Sequence, residues 1–110
     1  LLLAALALGI RGAVGSTYNY ATPLYHKMIA AFDEGDFALA RELQLKSVEI
    51  VNVLQPFGVL AAGKALMACR GVDCGPVRPP LNQLSEIRRK ELFRTLEESG
   101  FVSAGRINWS

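Results

Sequence analysis

The chain has 110 residues, is 51% hydrophobic and carries a formal net charge of +2, from 12 basic and 10 acidic side chains. These values exclude a disordered segment and a strongly basic nucleic-acid-binding surface, and they leave room for one domain at most. Cys69, Cys74 and the single histidine, His26, make neither a disulfide scaffold nor a zinc ligand set, which favours reduced thiols in a cytoplasmic protein.

The first fifteen residues predict the end of a buried helix followed by a strand. Residues 1–8 contain only Leu and Ala, and Gly9 stands where a left-handed cap would end a helix. Residues 10–15 then predict a short strand. A helix, a glycine and a strand form one step of a parallel sheet, which needs more strands than this chain contains. Since the chain also lacks an initiating Met, we expect a fragment of a longer protein. The apolar run is too short to span a membrane.

Four helices are predicted downstream. The first starts at Thr22 and Pro23 and ends at Gly35, and the second runs from Asp36 to near residue 54. The third runs from near residue 59 to residue 70, and the fourth from Ser85 to Glu98. Apolar residues at helical spacing predict their buried faces: Leu24, Met28, Ile29, Phe32, Phe37, Ala40, Leu43, Val48, Val51, Leu54, Ile87, Leu92, Phe93 and Leu96. Residues 72–84, rich in proline, predict an extended connection, and Phe101 and Trp109 are expected to anchor the tail.

Most of the chemically versatile side chains are predicted to be structural. A lysine that forms a Schiff base needs an apolar or cationic setting, and none of the lysines lies on the predicted strand. Lys64, in the alanine-rich helix, is expected to snorkel or to cap nearby groups. His26 is assigned a surface or packing role, and Cys69 and Cys74 are assigned inert packing roles. We expect Arg70, Arg78 and the Arg88-Arg89-Lys90 run to form solvated faces or subunit contacts.

The turn Gly15-Ser16-Thr17 is the exception. It follows the predicted strand, where parallel α/β folds place their ligands. Its hydroxyl groups have two interpretations: they cap the next helix, or Ser16 and the backbone beside it bind a ligand. Local chemistry does not decide between the two.

A family resemblance favours ligand binding. Residues 12–20, GAVGSTYNY, resemble the eighth strand and following loop of the N-acetylneuraminate lyases, class I aldolases of the dihydrodipicolinate synthase superfamily. The resemblance continues in AAFDEGDF at 30–37, FGV at 57–59, KALM at 64–67 and GPVRPPL at 75–81. The GSTYN string is the specific part, because the arginine-proline-proline element is shared more widely across the superfamily.

The resemblance implies a fold. The chain would be the carboxyl-terminal part of an α/β (β/α)₈ TIM barrel followed by a mostly helical subdomain, and would itself be largely helical. Residues 1–34 would end the barrel, and residues 35–110 would form the helical extension.

The resemblance also implies a function. The parent enzyme would be a cytoplasmic homotetramer of sialic acid catabolism that reversibly cleaves N-acetylneuraminate to N-acetylmannosamine and pyruvate, without a cofactor, metal, nucleic acid or membrane. Its Schiff-base lysine, its catalytic tyrosine and an acidic pair that holds the sugar match no segment here. Only Ser16 matches a substrate-binding residue, flanked by Gly15 and Thr17, so the fragment alone is expected to be inactive. The alternatives are another pyruvate-dependent aldolase or dehydratase of the superfamily and a non-catalytic helical interaction module.

Overall fold

The structure is a computed structural model that describes residues 1–103 and 106–108. Within these residues the chain forms five α-helices, one short 3₁₀ turn and one small hairpin. The helices are α1 (Leu2–Ala7), α2 (Thr17–Asp33), α3 (Phe37–Leu54), α4 (Val59–Cys69) and α5 (Glu86–Glu98), and the hairpin strands are β1 (Val102–Ser103) and β2 (Arg106–Ile107). The predicted anchor Trp109 lies outside the described residues.

The helix ends agree well with the predicted capping residues. Gly9 and Gly35 both have φ near +80°, the left-handed conformation that a glycine adopts after a helix with little strain. Asp36 Oδ1 accepts a hydrogen bond of 3.0 Å from the backbone N–H of Leu39, and Ser85 Oγ accepts one from Arg88. These side chains satisfy amide groups that the first turn of each helix leaves without a partner.

Helix α2 starts earlier than the sequence predicted. It begins at Thr17, five residues before the predicted cap Thr22, and it is interrupted at Ala21, where φ is −115° and ψ is 20°. Pro23 explains the interruption, because its ring clashes with the carbonyl group four residues earlier and it has no N–H to donate. Thr22 is therefore not a cap, and its hydroxyl donates to the carbonyl of Tyr18.

No strand is assigned to residues 10–15, where the sequence predicted one. A strand is defined by hydrogen bonds to a neighbouring strand. The only strands in residues 1–103 and 106–108 are β1 and β2, which pair with each other. The segment is exposed throughout, including the side chain of Val14, as expected for a barrel strand without its neighbours.

The chain divides into two compact units, Leu1–Glu49 and Ile50–Ser110. This division falls within α3. The predicted boundary between barrel and helical extension after residue 34 stays a prediction.

In the first unit, α1 packs on α2, and the backbone N–H of Leu3 donates to Gln44 Oε1 at 3.1 Å. Buried side chains from all three helices form its core: Leu6, Tyr20, Ala21, Leu24, Tyr25, Met28, Ala31, Ala40 and Leu43. Two residues predicted to be buried, Phe37 and Val48, are instead exposed, and Ser47 takes an inward position on α3.

In the second unit, α4 packs against α5, and α5 packs against β1. Lys64 Nζ donates to the carbonyl oxygens of Cys74 and Pro76, at 2.9 and 2.7 Å, in the segment between α4 and α5. Phe101 is buried, as predicted, and its carbonyl accepts the N–H of Asn108. By contrast, Ile87 is exposed although its spacing predicted burial.

Within residues 1–103 and 106–108, no single helix is both long and apolar enough to cross a membrane. One bent pair, Phe37–Phe57 with Val59–Cys69, is long and apolar enough only when the two helices are taken together. No cluster of three or more His, Cys, Asp or Glu side chains that could hold a metal ion occurs in this part of the chain.

Candidate functional site

The turn that carries Ser16 forms the amino-terminal end of α2. Ser16 is in helical conformation and exposed, and its carbonyl accepts the N–H of Asn19 at 3.2 Å. The carbonyl of Gly15 accepts the N–H of Tyr18, also at 3.2 Å. The Ser16 hydroxyl caps no helix N–H, and it makes no hydrogen bond to any other described residue. The capping interpretation of this hydroxyl is therefore wrong.

The ring of Tyr18 lies beneath this turn. A Cβ atom built at Gly15 would lie 3.2 Å from Cε2 of that ring, closer than side chains usually pack. A side chain at this position would require the Tyr18 ring to shift by a few tenths of an ångström. The Tyr18 ring also meets the Tyr25 ring edge to face, with centroids 4.5 Å apart and planes at 80°. This geometry is favourable for aromatic pairs.

A buried chain of hydroxyl groups fixes the other side of the turn. The Tyr25 hydroxyl donates to Thr17 Oγ1 at 2.9 Å and is 2.8 Å from Ser47 Oγ on α3. Tyr25 is only 7% exposed and Ser47 only 6%. The sequence analysis missed both residues. The sequence signal that could have identified this pair is Ser47 itself, a serine on the apolar stripe of α3, one turn after Leu43 and one turn before Ile50.

Burial raises the pKa values of two neighbouring tyrosines. The pKa of Tyr20 rises to about 12, first because its side chain is desolvated and second because Tyr25 lies near it. The same two causes, in the same order, raise the pKa of Tyr18. The Tyr20 hydroxyl is buried, and it has no hydrogen-bond partner in the part of the chain that the structure describes.

We therefore expect Tyr20→Phe to leave stability at neutral pH unchanged or slightly raised, because it removes a buried polar group that has no partner. Above pH 10, Tyr20 ionises in the unfolded chain before it does so in the folded one, so the wild-type free energy of unfolding falls between pH 10 and about 12. Urea unfolding of both proteins across this range is the test. The phenylalanine variant should lose less stability, and equal losses would contradict the assignment.

Two cavities lie near residues considered in the sequence analysis. One, of about 330 Å³, lies beside the Ser16 turn in the first unit and is lined by Leu2, Leu6, Arg11, Gly12, Ala13, Tyr18, Thr22, Tyr25, His26 and Ile29. A larger one, of about 490 Å³, lies in the second unit between residues 56–61 and 80–84. The larger cavity has no candidate acid, base or nucleophile. Its one cationic lining residue, Arg88, is held by Glu91, by the Pro56 carbonyl and by the Phe57 ring.

The remaining predicted residues do not assemble into a site. His26 is exposed, in agreement with a surface role. Cys69 and Cys74 are both exposed with free thiols, so the packing role predicted for them is wrong. Cys69 is the last residue of α4, and Cys74 lies in the segment after it. Residues 69–76 are all exposed, so neither thiol has a buried surface to pack against. Arg70 and Arg78 are exposed, in agreement with a solvated face.

Comparison with known proteins identifies related sequences. The sequence profile of the dihydrodipicolinate synthetase family matches residues 1–99. N-acetylneuraminate lyase from Gallus gallus is 41% identical over 87 residues, which cover 77% of this chain and 28% of that protein. The Homo sapiens N-acetylneuraminate lyase is 40% identical over 104 residues, which cover 93% of this chain and 32% of the relative. The chain therefore spans less than a third of either relative.

A solved structure shows the same similarity in three dimensions. Proteus mirabilis N-acetylneuraminate lyase superimposes with a TM-score of 0.81 at 38% sequence identity, over 92% of this chain and 34% of that one. This similarity confirms the predicted fold class: the carboxyl-terminal part of a (β/α)₈ barrel followed by a mostly helical subdomain.

Proposed function

The chain belongs to the dihydrodipicolinate synthetase family, and from this premise we propose that the complete protein is a class I aldolase that cleaves N-acetylneuraminate reversibly to N-acetylmannosamine and pyruvate. The relatives that are about 40% identical carry the name of this enzyme. The observation that carries the proposal is Ser16, which is exposed at the first turn of α2 and whose hydroxyl has no partner among the described residues.

In the proposed reaction, a lysine of the barrel forms an imine with the keto group of the substrate and releases water. The imine withdraws electrons, so that the carbon–carbon bond can break: a tyrosine takes the proton of the reacting sugar hydroxyl, which becomes the aldehyde of N-acetylmannosamine, and the electron pair remains on the pyruvate portion as an enamine. Return of a proton to the enamine and hydrolysis of the imine then release pyruvate and the free lysine. Both residues belong to parts of the enzyme outside these 110 residues. This stretch contributes Ser16, whose hydroxyl hydrogen-bonds the open-chain sugar acid, together with the helices that follow.

The position of Ser16 suits this role. Its αR conformation at the first turn of α2 leaves the hydroxyl outside the helix, so that a sugar hydroxyl or carboxylate can replace water there. The Tyr18 ring and the Thr17–Tyr25 hydrogen bond hold the turn from two sides. A rigid contact costs less entropy on binding than a mobile one.

We propose that the complete enzyme is a cytoplasmic homotetramer, like the enzymes it resembles.

We expect Ser16→Ala in the complete protein to raise KM for N-acetylneuraminate about tenfold with little change in kcat, because one hydrogen bond to the bound sugar is lost. Steady-state cleavage assays give both constants. Ser16→Thr is the matched control, since it keeps a hydroxyl at an exposed position, and its KM should stay near the wild-type value.

A panel of 2-keto acids separates this proposal from its nearest competitor. The family profile also admits another pyruvate-dependent aldolase or dehydratase. Turnover of a different keto acid, with none of N-acetylneuraminate, would overturn the proposed substrate while keeping the Schiff-base chemistry.

A further inference from the structure

We propose that Tyr25 is a positioning residue for substrate binding: through Thr17 it holds the turn that presents Ser16, and Ser47 holds Tyr25 in turn. This inference rests on the proposed function, because it concerns the sugar contact of Ser16. Neither Tyr25 nor Ser47 needs to touch the substrate. Each acts through the backbone of the turn.

Ser47 gives the first argument. It occupies a position on the apolar stripe of α3, between Leu43 and Ile50, where an alanine or a larger apolar residue would pack without any polar cost. A buried hydroxyl at such a position is unfavourable unless it is hydrogen-bonded. The Ser47 hydroxyl meets this requirement with Tyr25, at 2.8 Å. A serine here therefore fixes the end of the Tyr25 side chain rather than filling space.

The second argument is the other hydrogen bond of the Tyr25 hydroxyl. Its other partner is Thr17 Oγ1, at 2.9 Å, and Thr17 immediately follows Ser16 in the turn. The two hydrogen bonds of Tyr25 together link the first turn of α2 to α3. The bond to Thr17 spans eight positions of sequence, and the bond to Ser47 spans twenty-two. The break at Ala21 lies between Thr17 and Tyr25. Because the helix is interrupted there, its own backbone does not fully fix the first turn, and a side-chain link can do so.

The third argument is a contrast within the same helix. Tyr20 is even more buried, at 2% exposed, yet its hydroxyl has no partner in the described part of the chain. Burial of a tyrosine in this unit therefore does not by itself produce hydrogen bonds. The two bonds of Tyr25 are specific to its place between Thr17 and Ser47, and Tyr20 provides a matched control.

The experiment uses the complete protein and N-acetylneuraminate as the probe. Tyr25→Phe removes one hydroxyl and keeps the ring that packs on Tyr18. We expect it to raise KM about fivefold and to leave kcat nearly unchanged, because the turn becomes less ordered while the chemistry is untouched. Ser47→Ala should raise KM about twofold, and Tyr20→Phe should leave it unchanged.

A double-mutant cycle shows whether Tyr25 acts through Ser16. If it does, Ser16→Ala with Tyr25→Phe together should have the KM of Ser16→Ala alone, because the hydroxyl being positioned is already absent. A loss of packing alone would not give this result. Independent, multiplying effects would overturn the inference. So would an unchanged KM in Tyr25→Phe while Ser16→Ala raises it.

Two further outcomes are decisive. If Tyr25→Phe does not fold, the same cycle with Ser47→Ala decides: a rise in KM that disappears in the Ser16→Ala background supports the inference, and no rise overturns it. If the wild-type protein does not cleave N-acetylneuraminate, the proposed function fails, and this inference fails with it. A working enzyme with an insensitive Tyr25 overturns the positioning role alone.

Discussion

Leu92→Ala is expected to destabilise the 110-residue chain by about 2 to 5 kcal/mol, the usual cost of removing a fully buried leucine side chain and leaving a cavity. Leu92 is completely buried on α5, one turn before Leu96, which is also buried. This face of α5 packs on α4 and on β1. The midpoint of urea unfolding measures the loss, provided that the slope stays constant.

Ile87 on the same helix is the matched control. Its side chain is 79% exposed, although helical spacing alone predicted that it is buried. Ile87→Ala should change the free energy of unfolding by about 0.5 kcal/mol or less, since no cavity forms and alanine favours the helix. Equal losses in the two variants would show that α5 is packed differently from this description.

The second large effect concerns catalysis. We expect the 110-residue chain alone to give no detectable cleavage of N-acetylneuraminate, because the lysine and the tyrosine of the proposed reaction lie outside these residues. Lys27 and Lys90 are exposed on helices. Lys64 donates hydrogen bonds to two carbonyl oxygens. A Schiff-base lysine needs apolar or cationic surroundings instead. Pyruvate release coupled to a dehydrogenase is the assay, with the complete protein as the control, and release by the chain alone would contradict this expectation.

Most helix boundaries could be predicted because they depend on local chemistry, and the start of α2 at Thr17 is the exception. Asp36 and Ser85 accept hydrogen bonds from the amides of the first turn, and Gly9 and Gly35 adopt left-handed conformations. Each of these features involves residues within about one turn of each other, so the sequence pattern contains the information.

Long-range contacts could not be predicted in this way. The spacing of Ile87 and Phe37 fits a buried face, but what lies opposite a helix decides whether that face is covered. The hydrogen bond between Tyr25 and Ser47 joins two helices over 22 positions. No local pattern specifies such a pair. Residues 10–15 show the converse case, since a strand-like sequence forms no strand where the described residues offer it no partner strand.

The candidate site was only partly predictable. The resemblance of GSTYN to an aldolase loop selected Ser16, and the structure adds that its hydroxyl is exposed and that the turn is held from two sides. The close approach of the Gly15 backbone to the Tyr18 ring could not be predicted, because it depends on the three-dimensional arrangement of the turn.

One measurement tests the central claim, that the complete protein is a Schiff-base aldolase to which this stretch contributes the sugar contact. The complete protein is incubated with pyruvate and borohydride, which reduces an imine to a stable adduct, and its peptides are then mapped by mass spectrometry. We predict one modified lysine, outside residues 1–110. An adduct on Lys27, Lys46, Lys64 or Lys90, or no adduct at all, would contradict the account.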